Sequence, residues 1–343
     1  MRNQGPYLVF LDFFVTMIGA FAVYSTNFIA FSNAIPILGS VYGISIVIRG
    51  FLPLLLPKKW LFKNLPIFHL TFLALIIMSS ILLSNIVVYL VGITISVFLG
   101  MFTGSYIYNL EITWSKNLKD ASKFFSVITG VQSIAFLIAP ILTYLTPNKN
   151  LFLSILLVLI ALVLIFLAYF RFFSNIGVQM KFFSGNMRQV KKIYPIIFLA
   201  SFNWFLQYLW MGVVFALGVK QGIPDIVVLS AVEGETILYI VLQFGISIRG
   251  FMSVAKIRVG YYLIGIYIIL VTTFVSLDFY KASEILFVVL LFSFAVVSVL
   301  LEPLVDTLLS ASESASENST LVVAFRSIGG GIGYAMASFL LII

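Results

Sequence analysis

Eleven apolar stretches follow one another along this chain, each long enough to cross a bilayer, and positive charge falls on every second loop between them. A span needs about 20 apolar residues to cross a hydrocarbon core of about 30 Å. The chain supplies such stretches almost end to end. Of its 343 residues, 62% are hydrophobic and 9% charged, with a mean hydropathy of +1.16. A soluble domain of this length has no interior for so much apolar surface. The expected class is an all-α polytopic membrane protein. A closed barrel would instead show alternating segments of about 10 residues.

The expected spans are Tyr7–Phe31, Asn33–Leu56, Leu65–Leu83, Asn85–Ile112, Phe124–Leu145, Leu151–Phe173, Ile193–Leu217, Asp225–Met252, Val259–Leu277, Ile285–Leu309 and Thr320–Ile343. With the N-terminus inside, Arg2, Lys58, Lys59, Lys63, Lys116, Lys119, Lys123, Arg171, Lys181, Arg188, Lys191, Lys192, Lys256 and Arg258 fall on the cytoplasmic side. Only Lys149, Lys220 and Lys281 fall outside, and Arg49, Arg249 and Arg326 lie within spans. That asymmetry fixes an N-terminus in the cytoplasm. One cytoplasmic junction, Ser310 to Ser319, carries Glu313 and Glu317 and no base. Tyr7 to Phe31 reads as the first span rather than a signal peptide: it is too long for an h-region and carries Asp12.

Cysteine is absent, and His69 is the sole histidine. Disulfides, thiolate catalysis and Cys- or His-rich metal sites are excluded, and no metal or cofactor is expected. The net charge of +8 sits in short loops beside spans, where it sets topology rather than binding nucleic acid. No phosphate-binding Gly-x-x-x-x-Gly-Lys-Ser/Thr loop, His-Glu-x-x-His helix or Gly-x-Ser-x-Gly elbow appears.

The loop Ser174–Lys192 is longer, polar and basic. It divides the chain into a six-span bundle, 1–173, a cytoplasmic linker, 174–192, and a five-span bundle, 193–343. A repeat supports the division. Gly43-Ile44-Ser45-Ile46 followed by Arg49-Gly50-Phe51 in span two recurs as Gly245-Ile246-Ser247-Ile248 followed by Arg249-Gly250-Phe251 in span eight. Ser133 to Pro140 and Gly329 to Ala337, in spans five and eleven, are both rich in small residues, which suits close helix packing.

Six spans, a basic cytoplasmic loop and a second set with a parallel repeat resemble the major facilitator superfamily, whose two halves are related by an axis along the membrane normal. The family's loop between spans two and three carries Gly, then Asp-Arg, then Gly-Arg. Here Arg49-Gly50-Phe51 leads to Pro57-Lys58-Lys59: the glycine and the basic pair are present and the aspartate is not. Gly130 to Pro140 resembles the Gly-rich, Pro-ended stretch of family exporters. The resemblance implies two six-helix bundles, the second lacking its last helix, with spans one, four, seven and ten lining a central cavity.

Ionisable groups inside a span are functional candidates by default. Span ten presents Ser298, Glu302 and Asp306 on one face at i+4 steps, and Arg326 in span eleven lies at similar depth. Two carboxylates this close in a low dielectric repel, and a carboxylate whose proton leaves and returns is what proton coupling needs. The same residues also read as an ion pair that aligns two helices, or as a solvated helix end. Asp12, one turn before Thr16, reads as an interfacial acid at a helix N-terminus or as a proton or substrate site. Asn203 and Gln207 share one face of span seven, with Trp204 and Tyr208 on the next, either an interfacial belt or a stacking and hydrogen-bonding wall. Span four offers Thr103, Tyr106, Tyr108 and Asn109; Glu111 reads as a solvated loop acid, and Glu233 and Glu235 as a wetted helix end or an extracellular gate. Arg49 and Arg249 read as snorkelling to headgroups or capping neighbouring helices, and His69 as a packed residue.

The expected function is secondary transport of a small organic solute across the plasma membrane by a monomer, coupled to protons. An aromatic, sparsely charged cavity leans toward export of lipophilic or weakly cationic compounds. The rivals are a degenerate, non-transporting sensor or scaffold and an integral-membrane lipid enzyme.

Overall fold

A computed structural model describes residues 4–32, 43–51, 86–145, 149–172, 187–220, 225–250, 256–278 and 284–340. These form ten helices: α1 Gly5–Ser32, α2 43–51, α3 Ile86–Ser115, α4 Ala121–Leu145, α5 Lys149–Phe172, α6 Met187–Lys220, α7 Asp225–Arg249, α8 Ile257–Asp278, α9 Glu284–Ser310 and α10 Ala315–Leu340. Span three, His69, the pair Lys58 and Lys59 and most of the linker lie outside the described residues. Five of the helices are long and apolar enough to cross a membrane, and the chain is a multi-pass membrane protein. Large apolar side chains face outward along whole helices, as Tyr262, Ile266 and Ile269 do on α8, which suits a lipid solvent.

Most helix limits fall within about three residues of those expected. Two do not. α6 starts at Met187, so Arg188, Lys191 and Lys192 of the expected linker are helical, and Pro195 sits in the third turn of the helix rather than its first. α10 starts at Ala315, because the polar run Ser316, Asn318 and Ser319 is buried among neighbouring helices rather than wetted.

Two apolar clusters organise the packing. One lies within α1, α3, α4 and α5 and includes Leu8, Leu11, Ile107 and Phe170. The other spans α6 to α10 and takes in Tyr108, Ile112, Ala121 and Phe125 from the first set. Helices of the two sets cross at α4 with α7 and at α2 with α10.

α10 is wedged between α6 and α2. A methyl group on Gly329 or Gly333 would overlap the carbonyl oxygens of Ser201 and Phe205 in α6. On the opposite side, Gly331 and Gly43 leave room for backbones only. The small residues of this stretch therefore set the backbone separation on both sides of one helix. The Arg-Gly repeat stands at the two crossings. Arg49 donates to Ser327 Oγ at 3.0 Å. Gly250, at φ +73°, ends α7 against Asp120, and Lys123 Nζ donates to the Ile248 carbonyl at 2.9 Å. Arg49 is thus bonded across helices instead of snorkelling, whereas Arg249 is exposed.

Candidate functional site

α9 carries Pro303 between Glu302 and Asp306. Proline donates no N–H and leaves the carbonyl four residues earlier, that of Val299, without its helical partner. Gln243 of α7 supplies the missing donor: its Nε2 lies 2.8 Å from the Val299 carbonyl, and the residue is fully buried. A kink-prone point is thereby fixed beside the two carboxylates.

Those carboxylates meet Arg326 of α10. Its guanidinium lies 2.6 Å from Asp306 Oδ1 and 3.1 Å from Glu302 Oε1. Arg326 and Asp306 are 4% and 6% exposed, so the pair is shielded from solvent. Each acid has further donors. Tyr108 of α3 donates its hydroxyl proton to Asp306. Asn203 Nδ2 and Trp204 Nε1, both on α6, donate to Glu302 at 2.5 and 3.2 Å. The Tyr108 ring also lies 4.9 Å from the Arg326 guanidinium carbon, within cation–π range. Asp306 is therefore held from both helix sets at once.

Asp12 and Glu111 lie close enough to act electrostatically on one another and on Asp306. Asp12 is 6% exposed and Glu111 3%. One oxygen of each, Asp12 Oδ2 and Glu111 Oε1, has no hydrogen-bond partner among the described residues. The solvated-loop reading of Glu111 is corrected, and of the two readings of Asp12 the interfacial one is too. The sequence points to a loop for Glu111 because span four is expected to end at Ile112, whereas α3 continues to Ser115 inside the bundle.

Beyond Glu302 opens a cavity of about 330 Å³. α1 contributes Thr16; α4 contributes Thr129, Gln132, Ser133 and Phe136; α6 contributes Trp204, Gln207, Tyr208 and Trp210. α7 adds Glu235, Thr236 and Tyr239, α8 adds Tyr267, and α9 adds Ser298 and Glu302. No lysine or arginine is among its described lining residues.

The expected cavity residues Thr16, Trp204, Gln207, Tyr208 and Ser298 line it, and Asn203 sits behind as the donor to Glu302. Tyr106 and Asn109 do not. Two residues from Tyr108 on a helix is about 200° round, and Tyr106 packs against the apolar cluster of the first helix set. Asn109 is buried, donating to the Ser316 carbonyl at 2.9 Å and accepting from Ser316 Oγ at 2.7 Å. Span four therefore supplies a lock between α3 and α10, and the wall expected from it comes from α4 and α7.

Sequence reasoning does not single out Gln243, and it reads Glu235 as a gate or a wetted helix end. Glu235 lines the cavity and accepts from Trp210 Nε1 at 3.4 Å, which corrects the wetted-end reading. Its companion Glu233 has both oxygens buried without a partner among the described residues. A signal for Gln243 is present in the sequence: a buried amide in mid-span and a proline on another helix that frees one carbonyl.

The polar contacts between the helix sets gather at one end of the bundle. Asn109 and Thr113 meet Ser316, Arg49 meets Ser327, and Lys123 meets Ile248. The cavity begins at mid-depth and extends away from that latched end.

No family model matches the sequence, and no curated protein matches it. Solved structures do match in shape. The crystal structure of a single-residue variant of the E. coli fucose:proton symporter FucP superposes with a TM-score of 0.64 at 14% identity, covering 98% of this chain and 96% of that one. A structure of the major facilitator superfamily transporter FucP in its outward conformation gives 0.58 at 12% identity, covering 99% and 97%. The likeness is one of fold: the chain has the architecture of major facilitator superfamily transporters, as its span pattern implied.

Proposed function

We propose that this chain is a secondary transporter that moves a small organic solute by alternating access, with protons exchanged at the central carboxylates. The observation that carries the reading is the buried set Glu302, Asp306 and Arg326, which reaches the cavity through Glu302 and is tied to the first helix set through Tyr108. Such a set has a switch built in. A proton taken up by Glu302, the member that lines the cavity, removes one of the two charges on Arg326, which shares Asp306 with Tyr108 of α3. Apolar contacts and the Asn109–Ser316 lock also keep α3 against α9 and α10. Rocking of the halves, 1–173 and 193–343, about that seam is the proposed opening motion.

Positive charge on alternate loops supports an N-terminus in the cytoplasm of a plasma-membrane protein. The latched end is then cytoplasmic, and the cavity faces out. Glu302 belongs both to the cavity wall and to the carboxylate set. A proton and a solute thus contend for one group, which favours exchange, and so export against entering protons. A membrane potential adds about 2.3 kcal/mol per charge per 100 mV. The arrangement works within one chain, and a monomer suffices.

The test is a liposome assay with an internal pH dye, an imposed pH gradient and pooled solutes. A solute-dependent pH change that is lost in Glu302→Gln and in Asp12→Asn supports the reading. Unchanged proton movement in both variants removes the carboxylates from the coupling. Silence across diverse pools from folded protein returns the chain to the non-transporting reading.

A further inference from the structure

The cavity has a second acidic pole that the carboxylate–guanidinium set does not use. Glu235 lies on α7, on another helix from Glu302, and accepts the hydrogen bond donated by Trp210 Nε1 at 3.4 Å. Neither of the two ion pairs made by Arg326 extends to it. Around it stand aromatic rings that packing holds still. Trp210 stacks on Phe294 at 3.6 Å between centroids, and Phe294 meets Tyr267 edge-on at 4.9 Å. Tyr267 is near enough to Glu235 for the two to interact electrostatically. Tyr239 lies one turn further along α7, also on the cavity wall.

We propose that this pole binds the ammonium group of an organic cation: Glu235 is its counter-ion, Trp210, Tyr239 and Tyr267 are the walls that receive its alkyl or aryl body, and the substrate of the carrier is an amine. Three features select that chemistry. A carboxylate facing a cavity without lysine or arginine in its described lining attracts a cation and repels an anion. Aromatic faces attract an ammonium group through the ring quadrupole, most strongly when both are desolvated. A cavity of about 330 Å³ is at the small end of ligand sites, matching a single-ring amine rather than a large lipid. A neutral sugar would use the hydroxyl and amide groups near Gln132 and Gln207 and leave Glu235 unanswered.

This inference specifies the substrate of the transporter reading and rests on it for the step from binding to movement. The experiment measures binding of radiolabelled benzyltrimethylammonium to the purified full chain in detergent. Its uncharged carbon isostere, neopentylbenzene, serves as competitor. The unmodified chain should bind the cation saturably, and the isostere should compete at least tenfold more weakly. Glu235→Gln should weaken cation binding at least tenfold, while Glu233→Gln, off the described cavity wall, leaves it within twofold. Equal competition by the isostere, which needs no variant, overturns the proposal, as does unchanged affinity in Glu235→Gln. The failure of each reading has its own signature. Cation binding as expected without flux in vesicles keeps the site and sinks the transport reading. Proton-linked flux of an uncharged solute that the cation does not inhibit keeps transport and sinks the site.

Discussion

Two pairs of carboxyl groups meet at the centre of this bundle under opposite conditions. Glu302 and Asp306 are fully engaged: Arg326 bridges them, and Tyr108, Asn203 and Trp204 donate to them. Asp12 and Glu111 are as deeply buried, and Gln132 bonds Asp12, yet each keeps one oxygen without a partner among the described residues. An engaged buried carboxylate stabilises the fold only as long as its partners stay, and removing one exposes a bare charge to a low dielectric. One left half-engaged adds no stability, its bare oxygen being a cost, and is tolerated for another reason, most often a functional one. The first pair should then tie function to stability, so that disturbing it costs both, and the second should matter for function alone.

The sharpest way to break the contrast is Arg326→Met, which strips both held carboxylates of their common cation. The expected loss is about 3–5 kcal/mol, read as a lowered thermal midpoint of the protein in detergent. The triple variant Glu302→Gln, Asp306→Asn, Arg326→Met should recover most of it, because no uncompensated charge remains. A single variant as stable as the parent would show that the cluster does not hold α9 to α10.

The sequence made one of these pairs legible and hid the other. Glu302 and Asp306 share a face by simple i+4 spacing, and Arg326 has a matching depth, so the held set is readable from periodicity. Glu111 and Glu235 are misread for a common reason: both stand within about three turns of an expected helix end, where an acid is ordinarily wetted. Here helix ends lie inside the bundle, and depth along one helix says nothing about which neighbour covers it. The same limit explains Tyr106 and Asn109, placed on the cavity by span number when the facing side of α3 is set by its contact with α10. The bundle architecture and the crossing role of the glycine-rich stretch came through because apolar length and residue size are local properties. The partner of the Val299 carbonyl is not local.

That partner sharpens the held side of the comparison with a smaller effect. Gln243→Leu leaves the carbonyl freed by Pro303 without a donor, at a cost of about 1–3 kcal/mol. In a Pro303→Ala background residue 303 regains its N–H, and the same substitution should cost much less. The difference between the two backgrounds, from a double-mutant cycle of thermal midpoints, isolates the bond. Equal effects in both backgrounds would mean that Gln243 acts only by filling space.

The smallest stability effect, and the one that tests the open side directly, belongs to Asp12→Asn and Glu111→Gln. Each keeps the volume and hydrogen-bonding capacity of the side chain and removes its ability to carry charge. No existing ion pair is broken, so the thermal midpoint should move by less than that expected for about 1 kcal/mol. Proton-linked solute movement in liposomes should fall sharply in the same two proteins. Stability untouched with function lost would set the unengaged pair apart from Arg326, where stability itself fails. If either substitution instead unfolds the protein as Arg326→Met is expected to, then Asp12 and Glu111 are also held groups, and the asymmetry between the two pairs disappears.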